Sequence, residues 1–127
     1  MRVISFQRKD GSHGVGAMTD DSHFVDANKQ DAAVPGMLRE LLARPEGLAQ
    51  LQKAVQGKPA DGALNEVTLL PLIPDPHALW ALALNFRTHI EETGLVTSRD
   101  YPQIFLRTAA SQVAHMAPLK APPFEIG

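Results

Sequence analysis

The spacing of hydrophobic residues changes period at Val34, and that change limits what this chain can fold into. Before it stand short β-prone runs separated by turn residues; after it, leucines recur at helical spacing, the pattern of an α+β protein. Residues 3–6 (Val-Ile-Ser-Phe) form the first run, Asp10-Gly11 favours a tight hairpin turn, and residues 14–18 (Gly-Val-Gly-Ala-Met) read as the return strand. The glycines of that return strand permit a bulge or a close backbone approach. A second turn cluster, Thr19-Asp20-Asp21-Ser22, precedes a third strand at residues 23–27, which predicts a small β-meander. Farther on, Leu38, Leu41 and Leu42 fall on one helix between Pro35-Gly36 and Pro45. Leu48, Leu51 and Val55 define another, begun by Pro45-Glu46 and stopped at Gly57. Each helix carries one apolar stripe and needs a partner surface, most simply the meander.

Residues 57–65 (Gly-Lys-Pro-Ala-Asp-Gly-Ala-Leu-Asn) have linker composition, so the expected organisation is an N-terminal meander and helical domain at 1–65 and a second domain over 66–127. Residues 67–73 are extended and apolar, and Pro74-Asp75-Pro76 makes a turn. Residues 79–84 are apolar throughout, as in a strand buried on both faces, and residues 104–106 form another brief strand after Pro102.

Composition narrows the function classes. With no cysteine there is neither a disulfide framework nor a thiolate metal site. A formal net charge of −2, without any block of like charges, supplies no basic field for nucleic acid. No apolar run approaches the roughly 20 residues that span a bilayer, and the N-terminus has no secretory pattern. The expected protein is cytoplasmic, with neither nucleic-acid nor membrane partners.

Chemistry concentrates in residues 81–94 (Ala-Leu-Ala-Leu-Asn-Phe-Arg-Thr-His-Ile-Glu-Glu-Thr-Gly). Asn85 is placed to cap a short helix that Gly94 ends, and a buried cap beside a site can also contact a ligand. His89 and Glu92 would be neighbours on one face of that helix. A carboxylate beside an imidazole fixes its tautomer and raises its basicity, which is how a general base is built near neutral pH. Arg107, at the end of the brief strand, would present a cation near the helix, and Ser111 would add a hydroxyl donor for a carboxylate. Of the five histidines, His13 and His23 read as surface residues, His77 as structural and His115 as half-buried packing. No compact zinc pattern occurs, and Gly14-Val15-Gly16 opens no helix, so it is not a dinucleotide fingerprint.

These residues resemble the fumarylacetoacetate hydrolase family. That family carries a strand leading into Asn-Tyr-x-x-His-x-x-Glu, followed by Pro-x-x-Phe-x-Lys and a turn containing Ser or Thr. The matching text is Asn85, Phe86, His89 and Glu92, then Pro102, Phe105, Arg107 and Ser111. The meander, the leucine-rich helices and residues 69–74 also look like the small N-terminal domain preceding the catalytic fold, so the resemblance covers essentially the whole chain.

The resemblance implies the opening strands and short helix of a β-rich catalytic fold, commonly dimeric. The implied activity is Mg²⁺- or Mn²⁺-dependent chemistry on 2-oxo or 1,3-dicarbonyl acids: C–C hydrolysis, decarboxylation, isomerisation or dehydration. His89 with Glu92 would move the proton, while Arg107, Ser111 and Asn85 would bind substrate. The family's metal carboxylates, Glu-x-Glu and a later Asp, follow the matched region; Glu125-Ile126-Gly127 does not supply them. No metal is therefore expected on this chain alone, which reads as a portion truncated before the ion's ligands and inactive by itself. Phe86 stands for the family's Tyr and Arg107 for its Lys, which keeps a dehydratase-like branch open beside the hydrolase. The competing expectation is a non-catalytic, self-associating module, because unpaired strand edges around residues 79–84 and 104–106 invite pairing with another chain.

Overall fold

The computed structural model describes residues 1–94, 101–120 and 123. The chain divides into two compact units. One comprises residues 1–75 and the segment that returns at Gln112; the other is Pro76–Ser111. The expected boundary after residue 65 falls inside the first of these.

The first unit is α+β. Strands β1 (Val3–Gln7), β2 (His13–Met18), β3 (His23–Asp26), β4 (Gly62–Ala63) and β5 (Thr68–Leu69) form a five-stranded antiparallel sheet in the order β4-β3-β2-β1-β5. The expected meander is its centre. Gly11, at φ +85°, closes the first hairpin, and Asp10 accepts bonds from the Ser12 amide (2.9 Å) and hydroxyl (2.6 Å). In the second hairpin, Asp20 Oδ1 accepts the amides of Ser22 (2.7 Å) and His23 (2.9 Å).

Those bonds hold the Asp20 carboxyl down at about 2, the Ser22 amide contributing most, followed by the His23 amide and ring and the Ser22 hydroxyl. A carboxyl depressed on folding contributes stability above its unfolded value and loses it as pH falls through the folded one. Asp20→Ala is therefore expected to lower the urea midpoint at neutral pH, with its difference from wild type shrinking between about pH 4 and pH 2. A difference that stays constant across that range would refute the assignment.

Successive strand residues face opposite sides of the sheet, and paired residues share a side. The pairs Val3↔Ala17, Ser5↔Val15 and Ala17↔Val25 place one set of side chains under the helices α1 (Ala27–Gln30), α2 (Leu38–Leu42) and α3 (Gly47–Val55). Val15, Ala27, Val34, Leu38, Leu41, Leu51 and Ala54 form the continuous core there. α2 and α3 match the expected helices, but the buried stripe of α3 is Gly47, Leu51 and Ala54, and Leu48 is exposed. Gly47 dictates that rotation: it abuts the Leu41 carbonyl so closely that a β-carbon there would overlap the oxygen.

The other face carries Phe6 and Phe24, with ring centroids 4.8 Å apart. They lie on a floor of glycines, since a β-carbon on Gly14 would come within 2.5 Å of the Phe6 ring and one on Gly62 within 2.5 Å of the Phe24 ring. The close backbone approach expected of the β2 glycines is realised at this face.

Three further elements differ from expectation. The supposed linker supplies β4, held by Phe24↔Gly62, and a 3-10 turn at Leu64–Glu66. The run at 67–73, assigned to the second domain, supplies β5, and the Leu70 amide bonds Ser5 O at 2.9 Å. The third strand ends at Asp26 because Asp26 becomes the cap of α1, accepting the Asn28 amide at 3.0 Å.

The second unit contains β6 (Leu79–Ala83), α4 (Arg87–Thr93), β7 (Gln103–Arg107) and a 3-10 turn at Ala109–Ser111. β6 and β7 pair antiparallel from Leu79↔Arg107 to Ala83↔Gln103 as a two-stranded ribbon. The expected burial of β6 on both faces is not observed: Trp80 is 70% and Leu82 51% exposed, and every residue of β7 is exposed. An apolar run records what a strand is suited to bury. Among the described residues no third strand pairs with the ribbon.

Candidate functional site

The chain leaves β6 through Leu84, which has φ +50°. A leucine in the left-handed region costs about 1–2 kcal/mol, a strain that persists only where neighbouring structure imposes it. The turn aims the chain into α4, whose cap is Phe86, its carbonyl accepting the Ile90 amide at 3.1 Å. Asn85, expected as that cap, stands one residue too early and makes no capping bond; it is exposed at the helix end of the ribbon. Gly94 ends α4 as expected, at φ +63°, with its amide on Ile90 O at 3.1 Å. Thr93 Oγ1 donates to the His89 carbonyl at 3.0 Å, the local back-bond of a threonine to the turn before it.

On this single stretch of helix His89 Nδ1 stands 3.8 Å from Glu92 Oε2, at i, i+3. That is ion-pair distance, longer than a hydrogen bond. The side chains are 56% and 75% exposed, so the pair is solvated and adds little to helix stability. The carboxylate stands on the Nδ1 side of the ring without bonding it.

Arg107 and Ser111 also meet. Arg107 Nε donates to Ser111 Oγ at 3.1 Å, and Ser111 donates its own proton to Thr108 O at 2.8 Å. The hydroxyl is thus engaged as acceptor and donor within its own turn. The pairing register keeps the two halves of the expected site apart, since Arg107 pairs with Leu79 while α4 leaves the ribbon beyond Ala83. At about 3.3 Å per residue the two ends of β6 lie about 13 Å apart. His89 with Glu92 forms one constellation and Arg107 with Ser111 another.

Among the described residues, no three His, Asp or Glu side chains are gathered closely enough to share an ion. A hard divalent cation takes about six or more oxygen ligands, carboxylates among them, so the residues described do not compose its site. The remaining histidines are placed otherwise: His23 Nδ1 lies 3.1 Å from the Asp20 carboxylate, and His13 Nδ1 2.9 Å from Met37 Sδ. His115 is exposed and lines an apolar groove of about 580 Å³ with Ile4, Met18, Leu69 and Val113.

Sequence reasoning missed the most deeply set ion pair among the described residues, Arg8 with Asp26. Asp26 is 2% exposed and receives both oxygens' worth of bonds from Arg8 at 2.7 and 2.8 Å. Arg8 follows β1 and Asp26 ends β3, 18 residues apart, so no local spacing could announce them.

No helix among the described residues is long and apolar enough to cross a membrane. Neither a family model nor a curated protein matches the chain.

Proposed function

We propose that this chain carries the proton-transfer element of a metal-dependent enzyme acting on 2-oxo or 1,3-dicarbonyl acids, of the fumarylacetoacetate hydrolase type. The observation that supports it is the His89–Glu92 pair at 3.8 Å on a short helix launched from a strained turn. Glu92 holds the imidazole with one nitrogen toward itself, and the opposite nitrogen takes the proton from a water or from a carbon next to a carbonyl. Catalytic hydrogen bonds in ligand-free structures are often long and tighten with substrate, so 3.8 Å leaves one small side-chain adjustment to make. Arg107, steadied by Ser111, is suited to a carboxylate through the remaining edge of its guanidinium, but from the other end of the ribbon it is not part of the His89–Glu92 element. The ion, where present, would polarise the substrate's oxygens; the described residues do not gather a site for it.

Full turnover needs the ion's ligands but proton transfer alone does not, so the element is tested by following deuterium uptake at the carbon between the carbonyls of 2,4-dioxopentanoate by NMR, with and without added Mn²⁺. Exchange above the buffer rate, lowered about a hundredfold in His89→Ala, is expected, since a positioned general base contributes about 10²–10⁴. Glu92→Gln is expected to lower it less, because the base remains and only its orientation and charge partner are weakened. Exchange at the buffer rate in the wild type, or unchanged in His89→Ala, would end the proposal.

A further inference from the structure

Alternate residues of a strand turn their backbone groups to opposite neighbours. In β1 the Met18 amide bonds the Arg2 carbonyl at 2.8 Å, which sets Arg2 toward β2. The Leu70 amide bonds the Ser5 carbonyl at 2.9 Å, which sets Ser5 toward β5. Val3 shares the direction of Ser5, so its amide and carbonyl face the edge on the β5 side. Continuing the register Phe6↔Leu69 would bring Leu72 opposite Val3. Instead the Ser5 hydroxyl donates to the Leu72 carbonyl at 2.6 Å, and Ser5 lies on the helix-covered face with Val15. That bond draws the chain off the edge of β1. Among the described residues neither backbone group of Val3 has a backbone partner on that side.

The apolar groove of about 580 Å³ opens where the two segments part, lined by Val3 and Leu72 together with Ile4, Met18, Leu69 and Val113. We propose that this groove binds a short extended peptide, added as a strand to the edge of β1 at Val3.

Three observations select that occupant. A residue of an extended chain exchanges both its N–H and its C=O with Val3, which an acyl chain cannot do. The two residues flanking it fall on the side of the sheet that holds Ile4, and so drop into the groove. Charge decides their chemistry: Arg2 at the rim is already matched by Asp21 at 2.9 Å, so the groove suits uncharged, apolar side chains. The recognised pattern is therefore apolar, any residue, apolar. Size excludes a folded partner, which needs about 800 Å² of surface, whereas this volume lies within the roughly 300–1,000 Å³ of small-ligand sites. Two backbone bonds and two side chains make a weak complex, dissociating at about 0.1–1 mM. The inference uses no residue of α4 and stands or falls separately from the proton-transfer reading.

The test titrates acetyl-Lys-Leu-Thr-Val-Lys-amide into the full chain labelled with nitrogen-15, following amide shifts and hydrogen exchange. Saturable shifts at Val3, Ile4, Leu69 and Val113 are expected, with exchange of the Val3 amide slowed about tenfold at saturation. The same peptide N-methylated at its threonine cannot donate to the Val3 carbonyl and should bind at least about tenfold more weakly. Val113→Glu charges an exposed lining residue outside the strands and should weaken binding likewise, whereas Leu48→Glu, exposed elsewhere, should not. Absence of shifts at about 5 mM peptide overturns the proposal. So does equal binding of the N-methylated form, full affinity in Val113→Glu, or equal weakening by Leu48→Glu. Octanoate that reproduces the shifts without slowing exchange at Val3, where the peptide gives none, overturns it in favour of an acyl ligand. Shifts at these residues that follow protein concentration alone, with no response to peptide, overturn it in favour of a second copy.

Discussion

Asp26→Ala is expected to lower the unfolding free energy of the N-terminal unit by about 3–5 kcal/mol, the cost of breaking a buried pair by removing one partner. Asp26 is 2% exposed and takes three bonds from Arg8, at 2.7, 2.8 and 3.1 Å. Its carboxylate also caps α1 through the Asn28 amide at 3.0 Å. Its own amide donates to Asp61 Oδ1 at 2.8 Å, which ties the residue before β4 to the sheet. Alanine would strand the Arg8 guanidinium, 24% exposed and lying 5.0 Å over the Phe6 ring, beside an emptied acceptor. A urea titration reads the loss as a lower midpoint with unchanged slope. Arg8→Met added to Asp26→Ala should recover part of it, because the uncompensated charge goes while the capping bond stays lost. An Asp26→Ala midpoint within error of wild type would show that the pair is dispensable.

The parts of this fold that were legible in the sequence are those written in local signals. Alternation and Asp10-Gly11 locate the first hairpin, and leucine spacing locates α2 and α3. What was not legible depends on partners distant in the chain. Leu48 has the right spacing for the core but is turned out, because Gly47 must sit on the Leu41 carbonyl. Gly62 and Ala63 look like linker and become a strand only because Phe24 and His23 pair with them.

The candidate site divides along the same line. His89 with Glu92 was visible as helical spacing, whereas Arg107 and Ser111 were picked out singly and their bond to each other was not foreseen. That the two pairs leave opposite ends of a ribbon depends on the register Leu79↔Arg107, which no local pattern records. Asn85 failed as a cap for a backbone reason: Leu84 takes the left-handed conformation, and the helix begins after Phe86.

Phe24→Ala is expected to cost about 3–5 kcal/mol, toward the upper end for a buried aromatic. The penalty for a large-to-small change depends on how far the surroundings collapse into the space. Around Phe24 they cannot collapse readily, because the ring lies over Gly16 and Gly62, whose backbones are pinned in the ladder and have no side chains to offer. Its aromatic neighbour on that face is Phe6, 4.8 Å away and itself 1% exposed beneath Arg8. Phe24→Leu refills most of the volume and should cost clearly less than the alanine. Because the two rings touch, Phe6→Ala and Phe24→Ala should combine non-additively, with an interaction of about 0.5–1.5 kcal/mol. Additive losses, measured by denaturant titration of the four members of that cycle, would mean that the rings stabilise the sheet independently. Equal losses for leucine and alanine at position 24 would mean that the glycine floor yields after all.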